Sequence, residues 1–298
     1  MPGSSRSSKH MRLYPVAAVL VVLSATAVQV VLDTNRAGFH TNMAAAGPKG
    51  PPTFDSKNFG EASSSTNKWF PLTPGYQSVR EGGLDRGHRR LTHRRVYTVT
   101  NVTKKVAGVQ TILILDQDID GGEVAEQALD FVAEDREGNV WYLGSYTETY
   151  EGGEYVNATD GWLAAIRGAK PGVLMLASPV VGSPKYSQAT VPGEGSATAK
   201  VSKTGQKKCV PFKCFTDVLV IQEGGENVSY APGVGSIKTE PRRKGGENET
   251  EDLVNLTQLT LQGLEEFNSE AIKLDEHARK TTERVFGGSA RAKLRSGK

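Results

Sequence analysis

The sequence predicts a mainly β protein, an antiparallel meander forming a barrel, half-barrel or curled sheet, followed by a C-terminal amphipathic α-helix. Three observations carry that expectation. From Trp69 onward, short runs rich in Val, Ile, Thr and Tyr alternate with turn signals. Gly 33 and Pro 14 in 298 residues are more tight-turn residues than a helical bundle uses. Between Gly263 and Gly287 the apolar spacing changes to a helical period.

Taken in order, Tyr76 to Glu81 and Leu91 to Val102 read as a first hairpin. Val109 to Ile119, Glu123 to Glu134 and Asn139 to Tyr146 read as a three-stranded meander. Its turns, Asp120-Gly121-Gly122 and Asp135-Arg136-Glu137-Gly138, hold the residues that accept positive φ. In the second strand of this meander Ala125, Leu129, Phe131 and Ala133 share a face, with Gln127 as a polar exception. Glu126, Asp130 and Glu134 share the other, so one face is expected to be buried and one wet. Thr147 to Val156 adds an edge, Asp217 to Glu223, Asn227 to Ala231 and Gly235 to Glu240 continue the pattern, and Asp252 to Leu261 closes it. Roughly ten strands exceed what a flat open sheet tolerates, which favours closure or two packed sheets. The helix places Leu264, Phe267, Ala271, Leu274, Ala278 and Val285 on one stripe, with acids before His277 and bases after it. Such a helix docks on the sheet or its mouth, or offers a face to a partner or a membrane surface.

The chain divides into 1–32, a signal peptide or signal anchor; 33–67, a disordered linker; 68–261, the β domain; 262–287, the helix; and 288–298, a basic tail with Arg291, Lys293, Arg295 and Lys298. Residues 1–12 carry Arg6, Lys9 and Arg12 without an acid, Val16 to Leu23 form an apolar core, and Ala25-Thr26-Ala27 suits a signal peptidase. The uncharged stretch 13–32 is also long enough to anchor the chain in a bilayer, which takes about 20 residues. The linker carries Pro48, Pro51-Pro52 and Ser63-Ser64-Ser65 with almost no apolar periodicity. The expected address is secreted or cell envelope, outside the cytoplasmic membrane, with membrane contact only through the N-terminal segment where it stays uncleaved. The formal charge of +3, from 36 basic and 33 acidic residues, gives no reason to expect nucleic acid.

Four strings stand in order: Phe70-Pro71-Leu72-Thr73-Pro74-Gly75, Asp135 to Gly144 (DREGNVWYLG), Gly168-Ala169-Lys170-Pro171-Gly172, and Tyr230-Ala231-Pro232-Gly233-Val234-Gly235. Together they resemble a group of uncharacterised bacterial exported proteins that share PLxPG, DxxGNVWYxG, GAxPG and YAPGVG segments over one domain. The resemblance covers about residues 69–260 and implies a bacterial envelope or secreted setting, with no activity, cofactor or catalytic residue attached. This chain departs from it at Gly161-Trp162-Leu163, where a serine is expected before the tryptophan, and in its cysteine pair.

Residues that could carry chemistry are few. Asp116-Gln117-Asp118-Ile119-Asp120-Gly121 opens like a calcium loop, but Gln127 stands at the twelfth position and the lead-in is β-like, so a hairpin turn competes with a weak calcium candidate at Asp116, Asp118 and Asp120. His88 and His93 sit among five arginines. Five residues apart on a strand they point to opposite faces, so they do not share one metal, and an anion patch or a solvated face is expected instead. Cys209 and Cys214, the only cysteines, straddle a four-residue turn and are expected to form a disulfide outside the cytoplasm. Trp141, Tyr142 and Trp162 are candidates to line a ligand groove, with core packing as the competing account. No nucleophile elbow, phosphate loop or zinc-protease helix is present. The expectation is therefore a non-catalytic binding domain without a cofactor, taking a lipid or other amphiphile, or an envelope protein or polymer. The alternatives are a purely structural envelope protein and a hydrolase whose residues meet only in space. An apolar cavity favours the first, a filled core the second, and a convergent His or carboxylate cluster the third.

Overall fold

A computed structural model describes residues 50–60, 65–86, 88–243 and 248–295. The leader, the first part of the linker (33–49) and the last three residues of the basic tail lie outside the described residues. The protein is mainly β, with fourteen strands among the described residues: β1 (Tyr76–Arg86), β2 (Arg89–Val106), β3 (Val109–Asp120), β4 (Glu123–Glu134), β5 (Val140–Glu151), β6 (Glu154–Leu163), β7 (Lys170–Met175), β8 (Tyr186–Val191), β9 (Gly195–Cys209), β10 (Cys214–Glu223), β11 (Glu226–Ala231), β12 (Gly235–Pro241), β13 (Glu249–Gln258) and β14 (Lys293–Leu294). Helices α1 (Leu261–Thr281) and α2 (Glu283–Phe286) follow β13. Twelve of the strands close an antiparallel barrel, because β1 pairs with both β2 and β13. Strand β6 pairs with β5 and β14 with β2, both off the closed path.

The three-stranded meander lies where the sequence places it. The β4–β5 turn shows why its string reads as it does. Asp135 accepts the backbone N–H of Glu137 (3.0 Å) and of Asn139 (2.8 Å), and its other oxygen takes the Trp141 indole N–H (2.7 Å). Gly138 sits at φ 86°, a region that L side chains avoid. Three barrel strands, β7, β8 and β9, were not expected. Strand β7 contains Pro171-Gly172, and β9 carries four lysines with little apolar alternation, so neither shows the usual pattern. Gly172 is obligatory on packing grounds, since a Cβ there would lie 2.4 Å from the β8 backbone.

The barrel's outer wall over β2 to β6 is covered by the helices. Leu264, Ala271, Leu274, Ala278 and Phe286 are buried there, and the Phe286 ring meets Phe131 (6.1 Å) and Tyr146 (5.4 Å). Gly161 makes room for it, since a Cβ there would stand 3.1 Å from the Phe286 ring. Beneath α1, Lys104 and Asp275 form a fully buried ion pair. The α1 N-terminus is capped by the Thr260 hydroxyl, which accepts from Gly263 N (3.2 Å).

Part of the stretch read as linker belongs to the fold, which corrects that reading. Phe54 and Phe59 pack on Trp141 at 5.5 and 6.3 Å, and Asn67 donates to the carbonyls of Gly138 and Leu176. These anchors are single residues without a period, so no pattern announced them. Residues 67–75 then cross one end of the barrel, with Trp69 and Leu72 buried, Lys68 O accepting from Gly233 N (2.6 Å) and Gly75 N donating to Val99 O (2.8 Å). The disulfide Cys209–Cys214 closes the tip of the β9–β10 hairpin. Val210, Phe215 and Val218 of that hairpin join Ala231, Val234, Ile237 and Leu253 in a second apolar cluster.

Candidate functional site: a charged barrel lumen

Strand register decides which side chains share the face opposite the helices. Arg80 and Gly82 on β1 lie beside Arg95 and His93 on β2, and His93, Arg95 and Tyr97 lie beside Asp120, Asp118 and Asp116 on β3. Gly82 also pairs with Glu251 on β13. Because side chains alternate along a strand, all of these point into the lumen. The face expected to be wet on β4, with Glu126 and Asp130, is thus the inside of the barrel, while Leu129 and Phe131 face the helices.

The lumen side chains form separate hydrogen-bonded groups, the largest of them around His93. Arg80 donates to Glu251 (2.6 Å), Arg95 engages Asp116 through two nitrogens, and Thr239 reaches Glu251 (3.4 Å). His93 is the centre of that group: Nδ1 meets Asp120 at 2.7 Å, and Nε2 lies 3.3 Å from both Glu249 Oε1 and Glu251 Oε1 and 4.0 Å from Asp118 Oδ1. Further along, Tyr142 and Ser145 donate to Asp130 (2.6 and 3.2 Å), and the Tyr142 ring packs edge-on against Trp162 (5.2 Å). On the opposite arc Glu223 accepts from Tyr230 (2.6 Å) and Gln188 (2.9 Å), near the buried Tyr186 hydroxyl, which has no hydrogen-bond partner.

The charges tune one another. Burial disfavours the His93 cation, but hydrogen bonds to Asp120, Glu249 and Glu251 raise its pKa to about 12. Burial would raise the Glu251 carboxyl, yet Arg80 and His93 hold it well below the usual range. Burial pushes Asp118 up to about 8 against the pull of Arg95, with Asp116 and Glu249 adding to the rise. Asp130 rises to about 6 for the same first reason, with the Asp116 charge second.

Accessibility is uneven. The side chains of His93, Glu249 and Glu251 are 1%, 5% and 1% exposed, while Arg95 keeps 32% and Asp118 16%. Burial is nonetheless the largest single influence on the ionisation of both Arg95 and Asp118.

The residues singled out from sequence are dispersed differently than expected. Asp116, Asp118 and Asp120 lie on strand β3, not in a loop, with Arg95 beside the first two and His93 beside the third. Tyr142 and Trp162 meet at the lumen, whereas Trp141 is on the outer wall under Phe54 and Phe59. His88 is exposed and apart from His93. Sequence reasoning missed Glu249, Glu251 and Arg80 as partners of His93. The available signal was charge at alternating positions, His93 and Arg95, Asp116, Asp118 and Asp120, Glu249 and Glu251, on strands that otherwise read as barrel wall.

No family model matches the chain, and no curated protein matches it. Among solved structures the chain is similar to one described as a putative lipoprotein from Parabacteroides distasonis, at 14% identity and a TM-score of 0.31, over 64% of this chain and 99% of that one.

Proposed function

We propose that the protein is an exported cell-envelope barrel that binds a small polar, cationic ligand in its lumen without itself catalysing a reaction. One observation carries the reading: on the lumen face five carboxylates, Asp116, Asp118, Asp120, Glu249 and Glu251, surround three bases, Arg80, His93 and Arg95, and Asp130 adds a further acid beside two aromatic rings. A surplus of acid in an enclosed space favours an entering cation, and an aromatic face beside it adds cation–π attraction. The N-terminal leader, the resemblance of the four strings to bacterial exported proteins, and the disulfide support the address.

The expectation of an apolar ligand shifts on this geometry. Apolar side chains of the lumen wall such as Val99, Ile112, Ile114 and Val132 are packed to 3% exposure or less, while Arg95 and Asp118 keep accessible surface. An amphiphile with a cationic head remains compatible with the Tyr142–Trp162 pair. Native mass spectrometry of the full chain from its own envelope fraction, combined with organic extraction, tests the reading. A positively charged small molecule bound at one per chain supports it. A bare protein mass from gently handled material overturns it in favour of a structural role.

A hydrolase is the second reading, and a specific observation favours it: His93 and its carboxylates converge, and Asp118 is poised to hold a proton near neutral pH on an accessible part of the wall. Turnover of an ester, amide or glycoside substrate that disappears in Asp118→Asn would establish it. Turnover unchanged in that variant would exclude this site as its source.

A further inference from the structure

The geometry points to a divalent transition-metal site, fit for Zn2+, formed by His93 Nε2, Glu249 Oε1, Glu251 Oε1 and Asp118 Oδ1. It stands on its own donors and does not depend on the lumen taking an organic ligand.

The three first donors lie within 4.8 Å of one another. Nε2 is 3.3 Å from each of the two glutamate oxygens, which is long for a charge-assisted hydrogen bond, normally ~2.7–2.9 Å. It is close to the edge of a tetrahedron whose donors sit about 2.0–2.1 Å from the ion, an edge of roughly 3.3–3.4 Å. The spacing suits an ion between the donors better than a proton shared among them. The other face of the imidazole is already arranged for this role. Nδ1 meets Asp120 at 2.7 Å, the carboxylate contact that fixes the tautomer and aims Nε2 at a metal.

Asp118 Oδ1 completes the set. It is 4.0 Å from Nε2, is shut off from solvent and has no hydrogen-bond partner, its nearest cation being Arg95 at 3.6 Å. A buried carboxylate oxygen left in this state is costly unless something binds it. One imidazole and three carboxylates are donors that zinc accepts, and the charges are consistent with a divalent ion. With a neutral imidazole the five acids carry five negative charges, and Arg80 and Arg95 offset two of them. An ion of charge two brings the cluster close to neutrality. The ion replaces the Nε2 proton and the proton that burial holds on Asp118, and both leave to solvent.

Titration calorimetry of the chelator-treated full chain with Zn2+ is expected to show one ion per chain, with Co2+ giving the visible bands of a tetrahedral complex. Glu249→Gln is expected to abolish binding, and Asp120→Asn, which removes the carboxylate behind the imidazole, to weaken it about 10–100-fold. Asp217→Asn, on an exposed side chain paired with Lys68, is expected to leave it unchanged. Circular dichroism of each variant separates loss of the site from loss of the fold. No binding of Zn2+ or Co2+ by folded wild-type protein overturns the proposal, as does full-affinity binding by folded Glu249→Gln.

Discussion

The two sides of the barrel wall bury charge in opposite ways. Under α1, one base meets one acid: Lys104 and Asp275 are both at most 1% exposed, the Asp275 carboxylate also accepts from Ala292 N (2.9 Å), and the rings of Phe131 and Phe286 flank the ammonium. In the lumen, three bases meet a larger number of acids, and part of the network remains accessible. The outer pair is balanced and sealed. The inner network is unbalanced and partly open, as a binding surface requires and a structural pair does not. The pKa directions agree. Burial lowers Lys104, which its single partner Asp275 only partly counteracts, whereas the lumen acids Asp118 and Asp130 are raised.

The largest expected effect breaks the outer pair. Asp275→Asn leaves a buried ammonium without its counter-charge and is expected to cost about 3–5 kcal/mol in urea unfolding, while Lys104→Met combined with Asp275→Leu recovers most of that loss. The same kind of change in the lumen should behave differently, which is the sharpest test of the contrast. The Asp130 pKa is raised to about 6 by burial, so the folded chain holds this proton more tightly than the unfolded chain. Its contribution to stability is therefore complete below the unfolded carboxylate value and is lost as pH rises from about 4 to about 6. A carboxyl NMR titration should find its midpoint near 6, and Asp130→Asn should raise stability at pH 7 by on the order of 1 kcal/mol after allowance for solvent screening. A loss of stability would show that the lumen acids are structural partners like Asp275.

Between these lies the disulfide. Replacing both Cys209 and Cys214 with Ala should lower stability by roughly 2 kcal/mol, because the loop it closes is short, and should leave metal uptake unchanged, because neither cysteine supplies a donor to the His93 cluster. The smallest effect is at the helix cap. Thr260→Ala removes the acceptor for Gly263 N and should cost about 0.5–1 kcal/mol, loosening α1 without touching the lumen.

Much of the wall was legible because local chemistry marked it. Asp120-Gly121-Gly122 and Asp135 to Gly138 announced their turns, the change of period announced α1, and two cysteines across a short turn announced their bond. The lumen was not legible for a physical reason. Alternation on β4 separates Asp130 from Phe131, but a polar face turned to bulk water and one turned into a barrel have the same period. His88 lies in the β1–β2 turn rather than on a strand, and strand parity could not supply the partners of His93, because Glu251 is 158 residues away and arrives only through closure of β1 on β13. Trp141 and Tyr142 show the same limit on a smaller scale. Adjacent in sequence, they fall on opposite sides of the wall, and only one meets Trp162.

The closing seam also sets an order of events. Strand β1 finds its second partner only when residues 249–258 are available, so the barrel's final pairing joins segments from opposite ends of the domain and is slow by the logic of loop closure. Until then Arg80 and His93 lack the two glutamates that neutralise them, and α1, which follows β13 directly, cannot take its place over Lys104. A chain emerging from its N-terminus thus carries an open edge until nearly all of it has appeared, with Arg95 and His93 already met by Asp116 and Asp120 of β3, and the strand that shuts the edge is the one that brings the counter-charge of Arg80.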